Sequence, residues 1–505
     1  MKYLVLLVAL CMCLGCKKKE QTTDKLGVVS IEVNGNKNAL IHFEKGLLLL
    51  HSFEYQDARE AFEKALEEDP DMPMAHWGKA MTFNHSLWSE QDFEDGVAAL
   101  APLEDIDLES RASELERDLI EAARILYQPK TAKKERDKAY SRFLGKLTKK
   151  HPGNHEILSF YALSLLGASE DGRDPKLYTQ GAEIAQRVLD ANPSHPGALH
   201  YLIHSYDDPD HATLALNAAN AYAKVAPDAS HALHMPSHIY VAMGMWDEVI
   251  SSNINSYQAS LNRMERKKLD NDARGYHAFH WLQYGLLQKG DTEAAKKMVF
   301  EMEEFASEKP SPRARVHVVF LKGTYLIESD DWDENIANIE VDVADLNLTV
   351  RSQYQFLEGM KAYRQASVKQ LDSIVAAMEN DWQKASFVAA NDNAKLCSGA
   401  TRGDVTNSDI VEAQIRQQQL MALRANLDKD VATTENHLLK AIELESTISY
   451  SYGPPHVQKP PRELYADWLL EQGRTEEAKE QYTRSLETGP KRRLALRGID
   501  TATQI

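Results

Sequence analysis

One short pattern occurs twice in this chain, and it restricts the possible fold more than any other feature. Each residue of the first copy recurs 34 positions later; the copies are Ala198-Leu199-His200 with His204 and Tyr206, and Ala232-Leu233-His234 with His238 and Tyr240. A fixed period of roughly 20 to 50 residues is typical of solenoids, in which each helical unit buries its apolar face against its neighbours. The pattern therefore predicts a repeat fold with one continuous core.

Positions that pack the two helices of a unit recur along the chain, and the sets that begin at Gly181 and Ala215 are 34 residues apart. Small or aromatic residues stand at fixed steps and a proline ends the second helix; the sets are Ala58, Phe62, Ala65 and Pro70, then Gly181, Ala185, Val188 and Pro193, then Ala215, Ala219, Tyr222 and Pro227, then Gly473, Ala478, Tyr482, Ser485 and Pro490. This pattern resembles the tetratricopeptide repeat, a helix-turn-helix unit. The resemblance implies a tetratricopeptide-repeat superhelix, an α-solenoid whose open end is covered by a capping helix from Arg492 to Thr501.

The amino terminus has the pattern of an exported protein. An apolar run from Leu4 to Leu14 is too short to span a bilayer and ends at Gly15-Cys16, which three lysines follow. This resembles a bacterial lipoprotein signal, which implies cleavage before Cys16 and lipidation of Cys16 as the membrane anchor. An ordinary signal peptide and an uncleaved anchor are the open alternatives.

These patterns divide the chain into five predicted segments. They are a signal peptide at 1–15, the lipidated cysteine and a flexible polar tether at 16–38, an amino-terminal superhelix with a histidine-lined groove at 39–300, degenerate helical repeats at 301–460, and the last repeat with its capping helix at 461–505. Between Asn84 and Pro129 the period is lost, although helical spacing persists around Glu114 to Glu121. We expect an irregular helical pair there.

Charge and cysteine content narrow the possible functions. The formal net charge of -18 opposes binding to a phosphate backbone, so no nucleic-acid partner is expected. Three of the four cysteines lie in the first 16 residues, which leaves Cys397 alone in the body. No internal disulfide can then form after processing, and apolar packing must hold the helices together.

Histidines concentrate on positions that face the concave groove in the tetratricopeptide family. Carried over by repeat position, the resemblance places these residues on the groove wall: His200, His204, His231, His234, His238, His277 and His280, with His51 and His85 further along. It thereby implies one recognition surface. The loop from Ser449 to His456 is predicted to connect two repeats, and the alternative is a groove rim whose tyrosines stack on a sugar or peptide.

Two pairs among these histidines have the spacing of metal ligands. His200 with His204, and His234 with His238, are four residues apart and therefore lie on one helix face. A divalent metal such as zinc requires three or four ligands, and Asp207 could either bind the ion or orient an imidazole from behind. Ligand recognition without metal and a purely structural role are the alternatives.

Motifs of nucleotide-binding and hydrolytic sites are incomplete. The segment from Gly285 to Thr292 has the outline of a phosphate-binding loop, but Asp291 stands where lysine is required. His155-Glu156 lacks the second histidine of a zincin helix, and the chain has no Gly-x-Ser-x-Gly elbow. The chain is therefore expected to be non-catalytic.

Repeats behind a lipoprotein signal resemble the tetratricopeptide lipoproteins of Gram-negative bacteria of the Bacteroidota type. Some of these accompany polysaccharide-utilisation systems, including those for algal glycans such as ulvan. The resemblance implies a scaffold of the cell envelope, anchored through Cys16 to the outer membrane and facing the periplasm, with a protein or glycan ligand in its groove. The alternatives are a metal-dependent protein or enzyme that uses the paired histidines, and a soluble periplasmic chaperone.

Overall fold

Antiparallel helix pairs follow one another along the chain. The computed structural model describes residues 25–88, 90–169, 172–332, 334–390 and 405–504. Within these residues the only strands are Asn84–His85 and Glu90–Gln91, an antiparallel ladder in which His85 lies opposite Glu90. The predicted all-α tetratricopeptide-repeat superhelix is confirmed.

Fifteen described helices lie before residue 290. They are α1 (Lys37–His51), α2 (Tyr55–Glu68), α3 (Pro73–Met81), α4 (Phe93–Leu100), α5 (Leu108–Arg111), α6 (Glu114–Leu126), α7 (Lys133–Lys150), α8 (His155–Gly167), α9 (Pro175–Ala191), α10 (Pro196–Ser205), α11 (Ala212–Val225), α12 (Ser230–His234), α13 (Pro236–Ala242), α14 (Trp246–Lys267) and α15 (Tyr276–Lys289). Short 3₁₀ turns lie at Ser86–Trp88, Ala101–Glu104 and Asn271–Ala273.

The later helices continue the stack. They are α16 (Thr292–Glu308), α17 (Pro312–Ser329), α18 (Glu334–Ala337), α19 (Leu348–Arg364), α20 (Val368–Ala390), α21 (Asn407–Leu427), α22 (Val431–Glu445), α23 (Pro461–Glu471), α24 (Thr475–Thr488) and α25 (Arg493–Gln504). Over the described ranges, no helix has both the length and the apolar character needed to cross a membrane.

The first repeat shows why small residues recur at fixed steps. Asn36 begins α1 by accepting two backbone N–H groups of the first turn. Phe62 of α2 is fully buried, and a Cβ atom at Gly46 of α1 or at Gly78 of α3 would overlap its ring. The missing side chains therefore let three helices close on one aromatic ring.

Two large apolar cores follow each other along the stack and meet at α15. The first runs from Leu26 to Val249 and takes in Trp281 and Tyr284 of α15. The second begins at Tyr276 of the same helix and continues to the last helices. Because α15 contributes to both, apolar packing is continuous between the two halves of the stack.

The segment before α1 lies against the repeats. Residues 25–36 form neither helix nor strand, yet Leu26 is buried in the first core. The Val28 N–H donates to the Ser194 carbonyl at 2.9 Å, and the Asn192 side chain donates to the Val28 carbonyl at 2.9 Å. The sequence predicts a flexible tether as far as residue 38, whereas these bonds hold its described part in place. The predicted signal peptide lies outside the described residues.

The region without a clear period differs from a simple helical pair. The predicted helix is present as α6, which begins with a capping box between Ser113 and Glu116. Ahead of it, however, the short ladder and its turn place His85 against Tyr55, with ring centroids 4.2 Å apart. Strands of two residues are too short to leave an alternating pattern, so the sequence does not reveal them.

One long loop, residues 446–460, joins α22 to α23 and covers part of the first half of the stack. The Ser449 hydroxyl accepts the N–H of Arg173 at 3.1 Å, across 276 residues of sequence. Tyr452 of the loop lies against His204 and His238. The predicted connector thus also packs against these two histidines.

Candidate metal centre

Four helices bring six histidines together inside the stack. We call them the histidine cluster: His200 and His204 of α10, His231 and His234 of α12, His238 of α13, and His277 of α15. His200, His204, His234 and His238 are at most 2 % exposed. His231 is partly exposed and His277 is exposed, so the cluster has a buried centre and a solvent edge.

Helical spacing aligns the two predicted pairs. The rings of His200 and His204 have centroids 4.9 Å apart on one face of α10. Pro236 separates α12 from α13 because it has no N–H to donate. The intervening Met235 keeps helical angles of φ -52 and ψ -37, so His234 and His238 still share a face, with centroids 5.1 Å apart.

Fixed acceptors determine where two of the buried imidazoles hold their protons. The His200 Nδ1 donates to the carbonyl oxygen of His51 at 2.8 Å. The His234 Nδ1 donates to Asn253 Oδ1 at 2.7 Å, and the amide is oriented because its Nδ2 donates to the Val249 carbonyl. A neutral imidazole has one donor and one acceptor nitrogen. Nε2 of each ring therefore carries a lone pair.

Asp207 determines the protons of the other two buried imidazoles. Its Oδ2 lies 3.1 Å from His204 Nδ1 and 3.0 Å from His238 Nδ1, and its Oδ1 is paired with Arg173. Burial opposes ionisation, but Arg173 and the two imidazole N–H groups together hold the pKa of Asp207 far below its usual value. The ionised carboxylate accepts both N–H groups, so Nε2 is the lone-pair nitrogen in both rings.

The Nε2 lone pairs of His234 and His238 face each other. His234 Nε2 and His238 Nε2 are 3.2 Å apart, and neither can donate across that contact. Burial lowers the pKa of His234 to about 3 and that of His238 to about 4, so neither gains a second proton at neutral pH. Nε2 of His204 is buried without a hydrogen-bond partner among the described residues. Buried acceptors without donors are costly, so a cation at this point would be stabilising.

Histidines alone form two groups of three ligands in the cluster, and a third group, His204, Asp207 and His238, includes the carboxylate. We call His200, His204 and His231 the first triplet, and His234, His238 and His277 the second triplet; within each, one ring nitrogen per residue lies within 4.8 Å of the others. An ion that binds imidazole nitrogen at about 2.0 to 2.1 Å separates its ligands by roughly 3.3 to 3.6 Å. The Nε2 atoms of His200 and His231, 3.2 Å apart, are close to that spacing.

Aromatic side chains cover the surface that the sequence predicts to be an open groove. The Trp281 ring stacks on His238 with centroids 4.6 Å apart, and Tyr452 lies at the same distance from His238. Phe53, in the turn after α1, lies 4.2 Å from His200. The predicted groove positions are therefore largely closed, because a distant loop and this turn pack on them.

A buried carboxylate supports the cluster from behind. Glu156 accepts from His51 Nε2 at 2.7 Å and from His195 Nε2 at 3.1 Å, and all three side chains are fully buried. The Tyr201 hydroxyl lies 2.9 Å from His51 Nδ1, and the His51 carbonyl accepts from His200. These groups also have ligand spacing. Since their polar atoms already bond one another, they act as a support that positions His200.

The structure separates the predicted site residues into two sets. The six histidines of the cluster meet as described, whereas His280 lies apart, with its Nε2 2.8 Å from Thr324 Oγ1. Asp207 contacts the outer Nδ1 side of the rings and is paired with Arg173. This arrangement favours the orienting role over the ligand role, both of which the sequence leaves open. Cys16 lies outside the described residues.

Three further side chains complete the site without a clear signal in the sequence. Asn253 is a buried polar residue within α14, and Trp281 reads as a packing residue of its repeat. Tyr452 belongs to the loop before α23. The one local hint is Gly453, which has a φ of 93° and where a Cβ atom would overlap the Trp281 ring.

A charged cleft of about 710 Å³ opens beside the first triplet. Its lining includes Phe53, His85, Arg263, Arg274 and Arg313. Phe53 stacks on His231 with centroids 5.7 Å apart. One Phe53 ring therefore separates this cleft from the partly exposed His231.

Comparison with known proteins identifies the repeat in the first unit. A tetratricopeptide-repeat family model matches residues 39–72, which contain most of α1 and all of α2. No curated protein matches the chain.

Three of the similar solved structures each share 12 % sequence identity with this chain. Yeast Tom70 covers 93 % of this chain and 89 % of its own, with a TM-score of 0.34. The APC/C hetero-tetramer Cut9-Hcn1 covers 94 % and 78 %, with a TM-score of 0.38. The human IFIT1 dimer with m7Gppp-AAAA covers 94 % and 96 %, with a TM-score of 0.38.

Proposed function

We propose that this tetratricopeptide-repeat scaffold binds late first-row transition-metal ions through its histidine cluster. The observation that carries the proposal is the 3.2 Å contact between Nε2 of His234 and Nε2 of His238, because both rings hold their proton on Nδ1. Two lone pairs at this distance repel each other, whereas a metal ion accepts both. The acceptors behind the rings match the partners that usually orient metal-bound histidines.

The donor set indicates which class of metal would bind. Neutral imidazole suits zinc, copper, nickel and iron, whereas magnesium and calcium prefer oxygen ligands. Metal ligands must be deprotonated at the binding nitrogen. Burial already lowers the pKa of His234 and His238 far enough to keep both neutral at pH 7. An ion would therefore meet ligands in the required state.

The direct test is the metal content of the purified chain. The protein is prepared without an affinity tag that binds metal, dialysed against zinc or copper, and analysed by inductively coupled plasma mass spectrometry. We expect at least one ion per chain in the wild type and none in a variant with alanine at His200, His204, His234 and His238. A wild-type chain that retains no metal contradicts the proposal.

A matched control separates the cluster from histidine content in general. Four histidines outside the cluster are replaced together by alanine: His42, His151, His211 and His437. This variant should retain the wild-type amount of metal. Equal loss of metal from both quadruple variants would show nonspecific binding, which also contradicts the proposal.

Binding of a partner is a second candidate function, favoured by the charged cleft. Its wall carries arginines, including Arg274 and Arg313, beside carboxylates such as Asp57 and Asp272, and this mixture suits a partner segment that carries charges of both signs. An Arg274→Glu/Arg313→Glu variant should lose a partner that the wild type and the quadruple cluster variant both retain in pull-downs from envelope extracts. Retention of the same partner by all three proteins would contradict recognition in the cleft.

The cellular setting is a further proposal that follows from the lipoprotein resemblance. Cys16 would anchor the chain to the outer membrane, facing the periplasm, while a link to polysaccharide utilisation stays a prediction. Replacement of Cys16 by serine should move the chain from the membrane fraction to the soluble fraction. A variant that stays in the membrane fraction would contradict anchoring by lipid at this residue.

A further inference from the structure

The histidine cluster offers more ligands than one ion requires. Each triplet supplies three ring nitrogens within 4.8 Å of one another, and no histidine belongs to both triplets. Zinc sites, which also use imidazole ligands, have three or four protein ligands for each ion. Six imidazoles therefore match two ions better than one.

The two triplets are neighbours, and one carboxylate aligns a ligand of each. Asp207 Oδ2 accepts from Nδ1 of His204 in the first triplet and from Nδ1 of His238 in the second. The centroids of these two rings are 5.1 Å apart, and those of His231 and His234 are 6.0 Å apart. Two bound ions would therefore lie side by side in the buried centre of the histidine cluster.

Each triplet has the same division between buried and accessible ligands. His200 and His204 of the first triplet are buried, and His231 is partly exposed. His234 and His238 of the second triplet are buried, and His277 is exposed. An ion could therefore be received at either edge residue and transferred to the two buried ligands of the same triplet.

The small negative charge of the histidine cluster limits the charge of two ions that can bind in it at the same time. Asp207, the carboxylate bonded to the imidazoles, is already paired with Arg173, and the six proposed ligands are uncharged when deprotonated at the binding nitrogen. Two divalent ions would repel each other strongly here, because few negative charges compensate them and the local dielectric is low. Two monovalent ions repel each other about a quarter as much. Among the metals that imidazole suits, copper has a stable monovalent state.

We propose that the histidine cluster is a dinuclear copper(I) site, in which each triplet binds one ion and Asp207 aligns a ligand of each. The proposal deepens the proposed metal-binding function and depends on it. Three imidazoles complete the coordination of each monovalent ion, so no oxygen ligand is required. Trp281, Tyr452 and Phe53 shield the buried ligands from water.

The test is an anaerobic titration of the full chain with copper(I) in the presence of a chromogenic copper(I) chelator. Two variants each remove two ligands of one triplet: His200→Gln/His231→Gln, and His234→Gln/His277→Gln. We expect two ions per wild-type chain and one ion per chain in each variant. Circular dichroism checks that the helices of both variants are retained, and the wild-type count is informative without them.

The outcomes distinguish the inference from the proposed function. One copper ion per wild-type chain, lost in either variant, would overturn the dinuclear site and leave the metal-binding function in place. No copper, zinc or other late first-row ion in the wild type would overturn both. Two ions that persist in both variants would place the metal elsewhere and also overturn both. Retention of zinc against an equal concentration of copper(I) would overturn the assignment to copper.

Discussion

The histidine cluster and a second polar cluster around Arg492 are both buried, but they satisfy their polar atoms in different ways. Arg492 pairs with Glu463 through Nε to Oε1 at 2.7 Å and Nη2 to Oε2 at 3.0 Å. Its Nη1 contacts Glu328 and the Tyr284 hydroxyl, each at 2.8 Å. Gln288 donates to the remaining oxygen of Glu328 at 2.9 Å. This second cluster thus joins α15, α17 and α23 by bonds that its own residues complete.

In the histidine cluster, only the outer nitrogens are completed in this way. The Nδ1 atoms of His200, His204, His234 and His238 all have acceptors. On the inner side, Nε2 of His234 and Nε2 of His238 point at each other, and Nε2 of His204 has no partner among the described residues. The Arg492 cluster therefore stabilises the fold, whereas the histidine cluster keeps acceptor nitrogens open for a ligand. What distinguishes them is whether each donor meets an acceptor within the protein.

The largest expected effect comes from breaking the Arg492 cluster. Replacement of Arg492 by methionine leaves two buried carboxylates without their cation, and loss of one partner of a buried ion pair costs about 3 to 5 kcal/mol. Urea denaturation should show this loss in the free energy of unfolding. Metal content should be unchanged, since the variant does not touch the histidines.

Its control is Arg484→Met. Arg484 is half-exposed and pairs with Glu480 on the surface of α24, where such pairs contribute about 0 to 1 kcal/mol. If both methionine variants lose the same free energy of unfolding, the buried Arg492 cluster does not stabilise the fold more than a surface ion pair.

Metal should stabilise the histidine cluster and leave the Arg492 cluster unaffected. An ion at 100 times its Kd raises the free energy of unfolding by about 2.7 kcal/mol when it binds only the folded chain. Thermal unfolding with and without metal should show a higher Tm for the wild type and for Arg492→Met, but not for a His234→Ala/His238→Ala variant. Equal stabilisation of the histidine variant would contradict binding at the second triplet.

Acid should weaken the metal-free histidine cluster before it weakens the other. His234 and His238 stay neutral in the folded chain because burial lowers each pKa, whereas both take up protons near pH 6.5 when unfolded. Their contribution is complete above pH 6.5 and is lost as the pH falls; between pH 6.5 and 5.5 the two together lose about 2 kcal/mol. Urea midpoints over this range measure the loss.

The matched control for the acid effect is His234→Gln/His238→Gln, which removes both titrating groups. Its stability should fall less steeply than that of the wild type between pH 6.5 and 5.5. An identical slope in the two proteins would show that other groups cause the pH dependence.

The smallest effect is expected from the residue that orients His234. Asn253→Ala removes the acceptor of the Nδ1 proton, so the ring can exchange its tautomer and lose its alignment. Loss of such an orienting partner typically reduces metal affinity about 10- to 100-fold, and we expect the lower end here. Competition with a chelator of known affinity measures the change; an unchanged Kd would show that Asn253 does not orient a ligand.

The parts of the fold that repeat could be predicted from the sequence. Phe62 with its small neighbours, and the turn at Gly290, which has a φ of 86°, follow from the tetratricopeptide pattern because each unit packs only on the next. The ladder at His85 escaped prediction, since two residues cannot show an alternating pattern. The fixed position of residues 25–36 could not be predicted either, because it depends on hydrogen bonds to Asn192 and Ser194, which lie far along the chain.

The sequence by itself determined the helical solenoid, the histidine-rich faces and the four-residue spacing of the two pairs, since these depend on contacts within a helix or between adjacent units. Only the tertiary structure decided that the groove positions are covered, because Tyr452 comes from a loop more than 200 residues beyond His238. It also decided which nitrogen of each ring is available. That choice depends on Asp207, Asn253 and the His51 carbonyl, whose positions only the packing of separate helices sets.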